Sequence, residues 1–412
     1  MKKFALAFVL PLLPAMTFSA QPKLSAVAYN QPENSRRVNI SFTLENGPAI
    51  VTAMVRTNSV ALGASELSTI GLNQMMTSGV YNVVWQPART LGEFNLANGE
   101  VELELKAYSP RFPPQYMVVD LESSSNVHYY ATQDELPGGI DSRRYRTGAI
   151  LMKRMEAAAV KWRMGAVSTN LSSTLQAQDA LRFHETPRFT TLTNDYYIGV
   201  FEITQAQFAR FYGSNLASFK DPSKYPDWEL MPVESTSADA IRGRLDYGVA
   251  GHRVSDSSAM GKLRRLTGVQ FDLPTEAQWE FACRGGSTAS FCCHSDQTSD
   301  VTAYGWMNFT GKTEVFNREF PMPVGLKTPN GYGLYDMHGN VFELTLDYYS
   351  EYDESPRVDH VATDTSSGYL VMKGGSYNYG STACTAAAGR KIAPGTFNNY
   401  TGFRVVAPFM GK

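Results

Sequence analysis

The chain has 412 residues, 43% of them hydrophobic, which allows two or three domains and ample core. Its 37 basic and 39 acidic residues leave a formal net charge of −2, which excludes the basic field that nucleic-acid binding requires. Aromatic residues at 12%, with 33 glycines and 21 prolines, fit a loop-rich fold pinned by large side chains.

Met1–Ala20 reads as a secretory signal. Lys2 and Lys3 precede the apolar run Phe4–Leu13, and Thr17–Ala20 offers small residues for cleavage. The run is too short for a transmembrane helix, is broken by Pro11 and Pro14, and has no longer counterpart downstream. The expectation is an exported protein (periplasmic, cell-surface or extracellular) without a transmembrane segment. Export permits disulfides. The short loop after Cys283 allows it to pair with Cys292 or Cys293, whereas a vicinal Cys292–Cys293 bond would be strained.

Residues 21–110 read as a small β-sandwich, immunoglobulin- or fibronectin-like. Val38, Ile40, Phe42 and Leu44 alternate with polar residues, Asn46-Gly47 signals a hairpin, and Ala49–Val55, Val80–Trp85 and Val101–Ala107 supply further strands. It carries no cluster of catalytic residue types. Residues 111–149 are expected to form a linker containing one strand, Tyr116–Leu121. Residues 150–412 form the second domain, with strands at Tyr145–Arg154 and Val160–Met164. Two capping boxes start helices there, Thr204–Gln207 and Thr275–Gln278, and Gly213 and Gly285-Gly286 stop them. A short helix is expected near Ser237–Leu245. Ser287–Phe320 is polar and aperiodic, so it reads as a long surface loop.

The densest chemistry lies in Gly331–Asp347, GYGLYDMHGNVFELTLD. Gly331, Gly333 and Gly339 suit neither helix nor strand and predict tight turns, around which Asp336, Asn340 and Glu343 supply oxygens. Hard oxygen donors of this kind suit Ca²⁺.

GLYDMHGNVFELT resembles the GLYDM-x-GNVWEW signature of the formylglycine-generating-enzyme, or sulfatase-modifying factor, family. FDLPTEAQWEFACRGG at Phe271–Gly286, FEITQAQFARF at Phe201–Phe211 and KGGSY…GFRVV from Lys373 to Val406 resemble its other motifs in family order. The resemblance implies an α+β, C-type-lectin-like domain behind the sandwich. It also implies a structural calcium ion held by Asp336, the carbonyls of Gly339 and Val341, and Glu343, with Asn308 a candidate for a second site. Family oxidases bind Cu(I) through two cysteines of a GGS-[WY]-x-Cys-x4-Cys segment, and the copper activates O₂ to oxidise a cysteine of a sulfatase. Here Tyr379 stands at the first of those positions and Cys384 at the second, which leaves Cys292 or Cys293 of the loop as an alternative source of the missing sulfur. A phenol oxygen is a hard donor with an ordinary pKa near 10, so it does not replace a thiolate for Cu(I). His294, His338 and His360 lack the H-x3-H-x-E-like spacing of the iron-dependent sulfoxide-synthase branch.

The expected function is therefore an exported, calcium-stabilised module that binds a protein or glycan ligand without copper chemistry. Its cleft would be edged by Ser376, Tyr377, Asn378, Tyr379, Asn398, Asn399 and Tyr400, a texture similar to that of variable lectin-like receptors. The alternative is a formylglycine-generating oxidase acting on sulfatases, with Cys384 catalytic and an altered copper site.

Overall fold

The computed structural model describes residues 20–57, 60–61, 68–69, 71–86, 95–99, 101–122, 127–166, 186–243, 253–297, 299–310, 315–316 and 319–408. The signal segment expected at Met1–Ala20 lies outside them except for Ala20.

The front part is two-layered. Strands β1 (Lys23–Asn30), β2 (Val38–Glu45) and β4 (Gly79–Gln86) form one antiparallel sheet, while β3 (Ala49–Thr57) pairs along its length with β5 (Val101–Tyr108) in another. Val38, Ile40, Phe42 and Leu44 share one apolar core with Val51, Ala53, Val55 and Trp85. The predicted sandwich is thus present, but the hairpin expected at Asn46-Gly47 is not. β2 and β3 belong to different sheets, and the turn between them carries the chain from one layer to the other. Pro48 follows the turn without an N–H, so it cannot donate the bond that closes a two-residue hairpin. The Gly47 amide instead donates to Ser78 Oγ at 2.7 Å.

The stretch expected as linker, 111–149, is built into the second part. β6 (Tyr116–Asp120) and β7 (Val127–Tyr130) join β8 (Ala149–Met155) in a five-stranded antiparallel sheet of order β7–β6–β8, then Tyr196–Gly199, then Val406–Ala407. β6 is buried throughout. Its partner β8 starts at Ala149 rather than Tyr145, because Arg143–Arg146 is a 3-10 turn. Ile50 on β3 packs into this second core with Met117, Val119 and Tyr129, so β3 is covered on both faces.

β9 (Val160–Met164) pairs with β10 (Arg188–Leu192), and β11 (Tyr196–Gly199) leads into helix α1 (Gln205–Tyr212). Both capping boxes form as expected, at α1 and at α4 (Glu276–Arg284). The short helix α2 spans Ala238–Arg242 and ends at Gly243. The residues after Gly243, through the expected end at Leu245, are outside the described set. A helix the sequence reading left out, α3 (Ala259–Thr267), is capped by Ser258 and stopped by Gly268 in the left-handed region. The second sheet of this part has the order β14 (Gly389–Ile392), β13 (Leu370–Lys373), β12 (Phe342–Tyr348), then Thr401–Gly402.

Ser287–Phe320 is not purely a surface loop. Phe291, Val301 and Met307 turn inward and form a small core with Cys384. Three apolar residues spaced widely along a polar stretch leave no period to read, so their burial follows from tertiary contact alone.

Candidate functional site

The Gly331–Asp347 segment turns as its glycines and Asx residues predict. Asp336 and Asn340 adopt left-handed backbone at φ 58° and 62°, which Asp and Asn tolerate better than other L-residues. His338-Gly339 pairs in parallel with Gly305-Trp306. A Cβ at residue 339 would lie 1.9 Å from the Trp306 carbonyl oxygen, so glycine is required there. From this turn the chain enters β12, whose first residues carry the charged centre of the domain.

Glu343 and Arg404 are fully buried and face each other. Arg404 Nη2 donates to Glu343 Oε1 at 2.8 Å, and its Nε donates to Oε2 at 3.0 Å. Trp279 Nε1 donates to the same Oε2 at 2.7 Å. Two more buried carboxylates lie close by. Glu202 accepts from Asn340 Nδ2 at 2.6 Å and from the Val341 amide at 3.2 Å. Asp336 Oδ2 accepts from the Gly325 amide at 2.7 Å, while Asp336 Oδ1 is buried without a hydrogen-bond partner among the described residues. Burial raises the Asp336 carboxyl to about 6, and burial together with the neighbouring Asp336 and Glu343 charges raises Glu202 well above its ordinary range. The Arg404 guanidinium opposes both shifts.

The donors expected for calcium are therefore divided. Asp336 fits, with a hard oxygen, Oδ1, buried and without a partner among the described residues. Asn308 places another such oxygen, Oδ1, buried without a partner among the described residues. Glu343 does not fit, because Arg404 and Trp279 already occupy both its oxygens. The carbonyls of Gly339 and Val341 flank the Asn340 turn. Among the described residues no three His, Cys, Asp or Glu side chains gather to hold a metal.

The expected copper position does not fit copper. Tyr379 packs edge-on against Phe342 and Tyr400, at ring separations of 5.0 and 5.5 Å, and Arg390 lies 4.6 Å over its ring. Cys384 is fully buried with Phe291, Val301 and Met307, its thiol 3.5 Å from the Gly380 carbonyl, and burial pushes it up to about 12. A thiol held protonated in an apolar nest is a poor ligand and a poor nucleophile.

All four cysteines are free thiols, so the pairing of Cys283 with Cys292 or Cys293 is not present. Cys283 instead points at the Met337 carbonyl, 3.5 Å away, and at the ring of His338. His338 is wholly buried. Its Nδ1 lies 2.7 Å from the Cys384 carbonyl and its Nε2 is 3.1 Å from the Cys292 amide. A carbonyl only accepts and an amide only donates, so the proton sits on Nδ1. Burial lowers this imidazole to about 4, which keeps it neutral. His338 is thus a clip joining three chain segments rather than a metal ligand.

The structure brings some of the expected cleft residues together. Tyr379, Tyr400 and Phe342 form one aromatic cluster, and Asn378 is exposed beside it. Asn398 and Asn399 are half-buried, and Asn398 Oδ1 caps the Tyr400 amide at 3.2 Å. Ser376 and Tyr377 are buried, so they support this surface from below. Sequence reasoning missed Glu202 and Arg404, weighed His338 only as an iron ligand, and foresaw only the Glu280–Arg284 pair of a second buried network. There Lys373 sits 3.4 Å from Glu276 and 3.2 Å from Glu280, and Glu280 pairs with Arg284 at 2.6 Å. Of this network only the Glu280–Arg284 pair, four residues apart on one helix, leaves a trace in the sequence.

Among relatives, the chain is 32% identical over 258 residues to the formylglycine-generating enzyme of Mus musculus, covering 54% of this chain and 68% of that protein. It is 28% identical over 226 residues to the serine/threonine-protein kinase pkn1 of Chlamydia caviae, covering 53% of this chain but only 34% of the kinase. PvdO from Pseudomonas aeruginosa superposes with a TM-score of 0.48 at 19% identity, over 63% of this chain and 94% of PvdO. The sulfatase-modifying factor enzyme 1-like domain matches residues 152–408, more than half of the chain and the whole of the second part from β8 onward, so the chain belongs to that family.

Proposed function

We propose that this chain is an exported binding member of its family that works without copper oxidase chemistry. The observation that carries the reading is the state of Cys384, sealed in an apolar nest with Tyr379 where a second sulfur would be needed. Cu(I) prefers two soft donors at close range. One protonated thiol and one phenol packed under Arg390 offer it neither. In place of a metal centre the same loops present Tyr379, Tyr400 and Asn378, with Phe397 62% exposed beside them. Rigid rings and short amides suit recognition of a protein or glycan. Calcium belongs to this reading as a structural ion, with Asp336 Oδ1 among its donors. Export rests on the Lys2–Ala20 pattern. Among the described residues no helix is long and apolar enough to cross a membrane.

The second reading, an oxidase converting a sulfatase cysteine to formylglycine, is favoured by the 32% identity to the mouse enzyme. One experiment separates the two. The purified protein is loaded with Cu(I) and given a peptide carrying the sulfatase C-x-P-x-R motif under air. The binding reading expects an unchanged peptide mass and no stoichiometric copper. A mass loss matching conversion of thiol to aldehyde establishes the oxidase and removes the binding reading.

A further inference from the structure

A cavity of about 570 Å³ opens between β6, β8 and the turn at Asn330–Gly333. Its volume lies within the usual range for small-molecule sites. None of its lining residues belongs to the aromatic cleft or to the buried carboxylate centre, so it stands whether or not the cleft binds a ligand.

Lys153 on β8 is part of its wall. The ammonium donates to Gln115 Oε1 at 2.9 Å and lies 4.4 Å from the Tyr116 ring, and it makes no ion pair among the described residues. Gln115 is itself held in place, its Nε2 donating to Glu156 Oε1 at 2.7 Å. The neighbouring cation, Arg154, is already matched by Asp195 at 2.7 Å and the Pro113 carbonyl at 2.8 Å. Lys153 is therefore a positioned cation that feels the Glu156 charge without an ion pair to it, and its ammonium can still take an anion. Its burial lowers its pKa, a cost that an adjacent carboxylate would offset. Tyr332 contributes an aromatic ring backed by Phe281 at 5.6 Å, and the Tyr116 hydroxyl is only weakly engaged by Gln133 at 3.4 Å.

We propose that this cavity binds an acidic sugar, a uronate unit whose carboxylate pairs with Lys153 and whose ring rests on Tyr332. An apolar ligand would gain nothing from the polar ends of Gln115, Gln133, Lys153 and Glu156 that line this wall. A doubly charged anion such as phosphate would meet the Glu156 carboxylate across Gln115. A monocarboxylate bearing hydroxyls uses both signs, with the anion on Lys153 and the hydroxyl donors on Glu156 and Gln133.

The test is calorimetric titration of the full chain with galacturonate, its methyl ester and acetate. Galacturonate is expected to saturate one site. The methyl ester and Lys153→Gln are each expected to weaken binding about tenfold or more, from loss of a charge-assisted hydrogen bond. Lys153→Arg keeps the charge and retains most of the affinity, which guards against a folding defect in the glutamine variant. Tyr332→Ala is expected to weaken the sugar and leave acetate unaffected. The proposal is overturned if galacturonate shows no saturable binding, if Lys153→Gln binds as the parent does, or if acetate binds as tightly as the sugar.

Discussion

Arg404 holds Glu343 through two of its nitrogens in a place neither residue shares with water. The same guanidinium donates to the Gly199 carbonyl at the end of β11 and to the Tyr335 carbonyl in the motif turn, both at 2.8 Å. One side chain thus ties together three segments that lie far apart in the chain. Arg404→Met is expected to cost about 3–5 kcal/mol, because it strands a buried carboxylate beside two others. Chemical denaturation reads this directly. Adding Glu343→Gln to that variant should recover part of the loss, and a double variant no better than the single one contradicts the pairing.

Gly339 tests the turn itself. Its φ of 90° disfavours any L-residue, and an added methyl would strike the Trp306 carbonyl. Gly339→Ala is expected to lose more than about 3 kcal/mol, combining strain with overpacking. Gly99, also at positive φ but with nothing within 4 Å of an added Cβ, serves as the control. Equal costs at the two positions would refute the close approach.

Asp347 gives the protein a pH dependence. Burial, then the charge of Glu276, raises its carboxyl from an ordinary 3.8 to about 7, with Arg188 opposing. The folded state holds a proton that the unfolded chain releases. The stability this provides is present at low pH and is lost as pH rises from about 4 to about 7. Tyr352, which donates to Glu276 at 2.9 Å, and Arg188, 3.6 Å over the Tyr352 ring, complete the surroundings. The difference in melting temperature between the parent and Asp347→Asn should therefore shrink or reverse across that window. A constant difference from pH 4 to pH 8 would show that Asp347 does not titrate there.

Calcium is tested by chelation. Removing a bound ion should lower the melting temperature by about 4 °C or more, and Asp336→Ala should abolish that response. Superimposable melting curves with and without chelator would remove calcium from the account and leave Arg404 and Arg146 as the cations acting on Asp336 among the described residues.

What was legible in the sequence was mostly local. Thr204 with Gln207 and Thr275 with Gln278 act within one helical turn, so both caps could be read directly and both form. The strands of the front sandwich announced themselves by alternation, and Gly339 by its unsuitability for regular structure. The pairing partners of those strands were not legible. Asn46-Gly47 has the residues of a hairpin turn, but Pro48 removes the N–H that would close it. Helix α3 is marked in the sequence only by Ser258 before it and Gly268 after it. The charged centre was readable only in part: Asp336, Asn340 and Glu343 share one motif, but Glu202 meets Asn340 across 138 residues, and Arg404 meets Glu343 across 61. Each looks like an ordinary surface charge until the fold closes around it. Glu343 appeared as a free oxygen donor for the same reason, since nothing nearby in the chain betrays Arg404.

The doubly covered strand at Ala49–Thr57 bears on how this protein can be cut or borrowed. With Ile50 wedged against Met117, Val119 and Tyr129, the front layer is a wall of the rear building rather than a porch. A fragment starting at residue 111 would bare that wall to solvent and should clump or melt early. Recombination that transplants the rear part intact must carry the front with it, or replace the apolar residues that Ile50 shields, Met117, Val119 and Tyr129 among them, with polar ones.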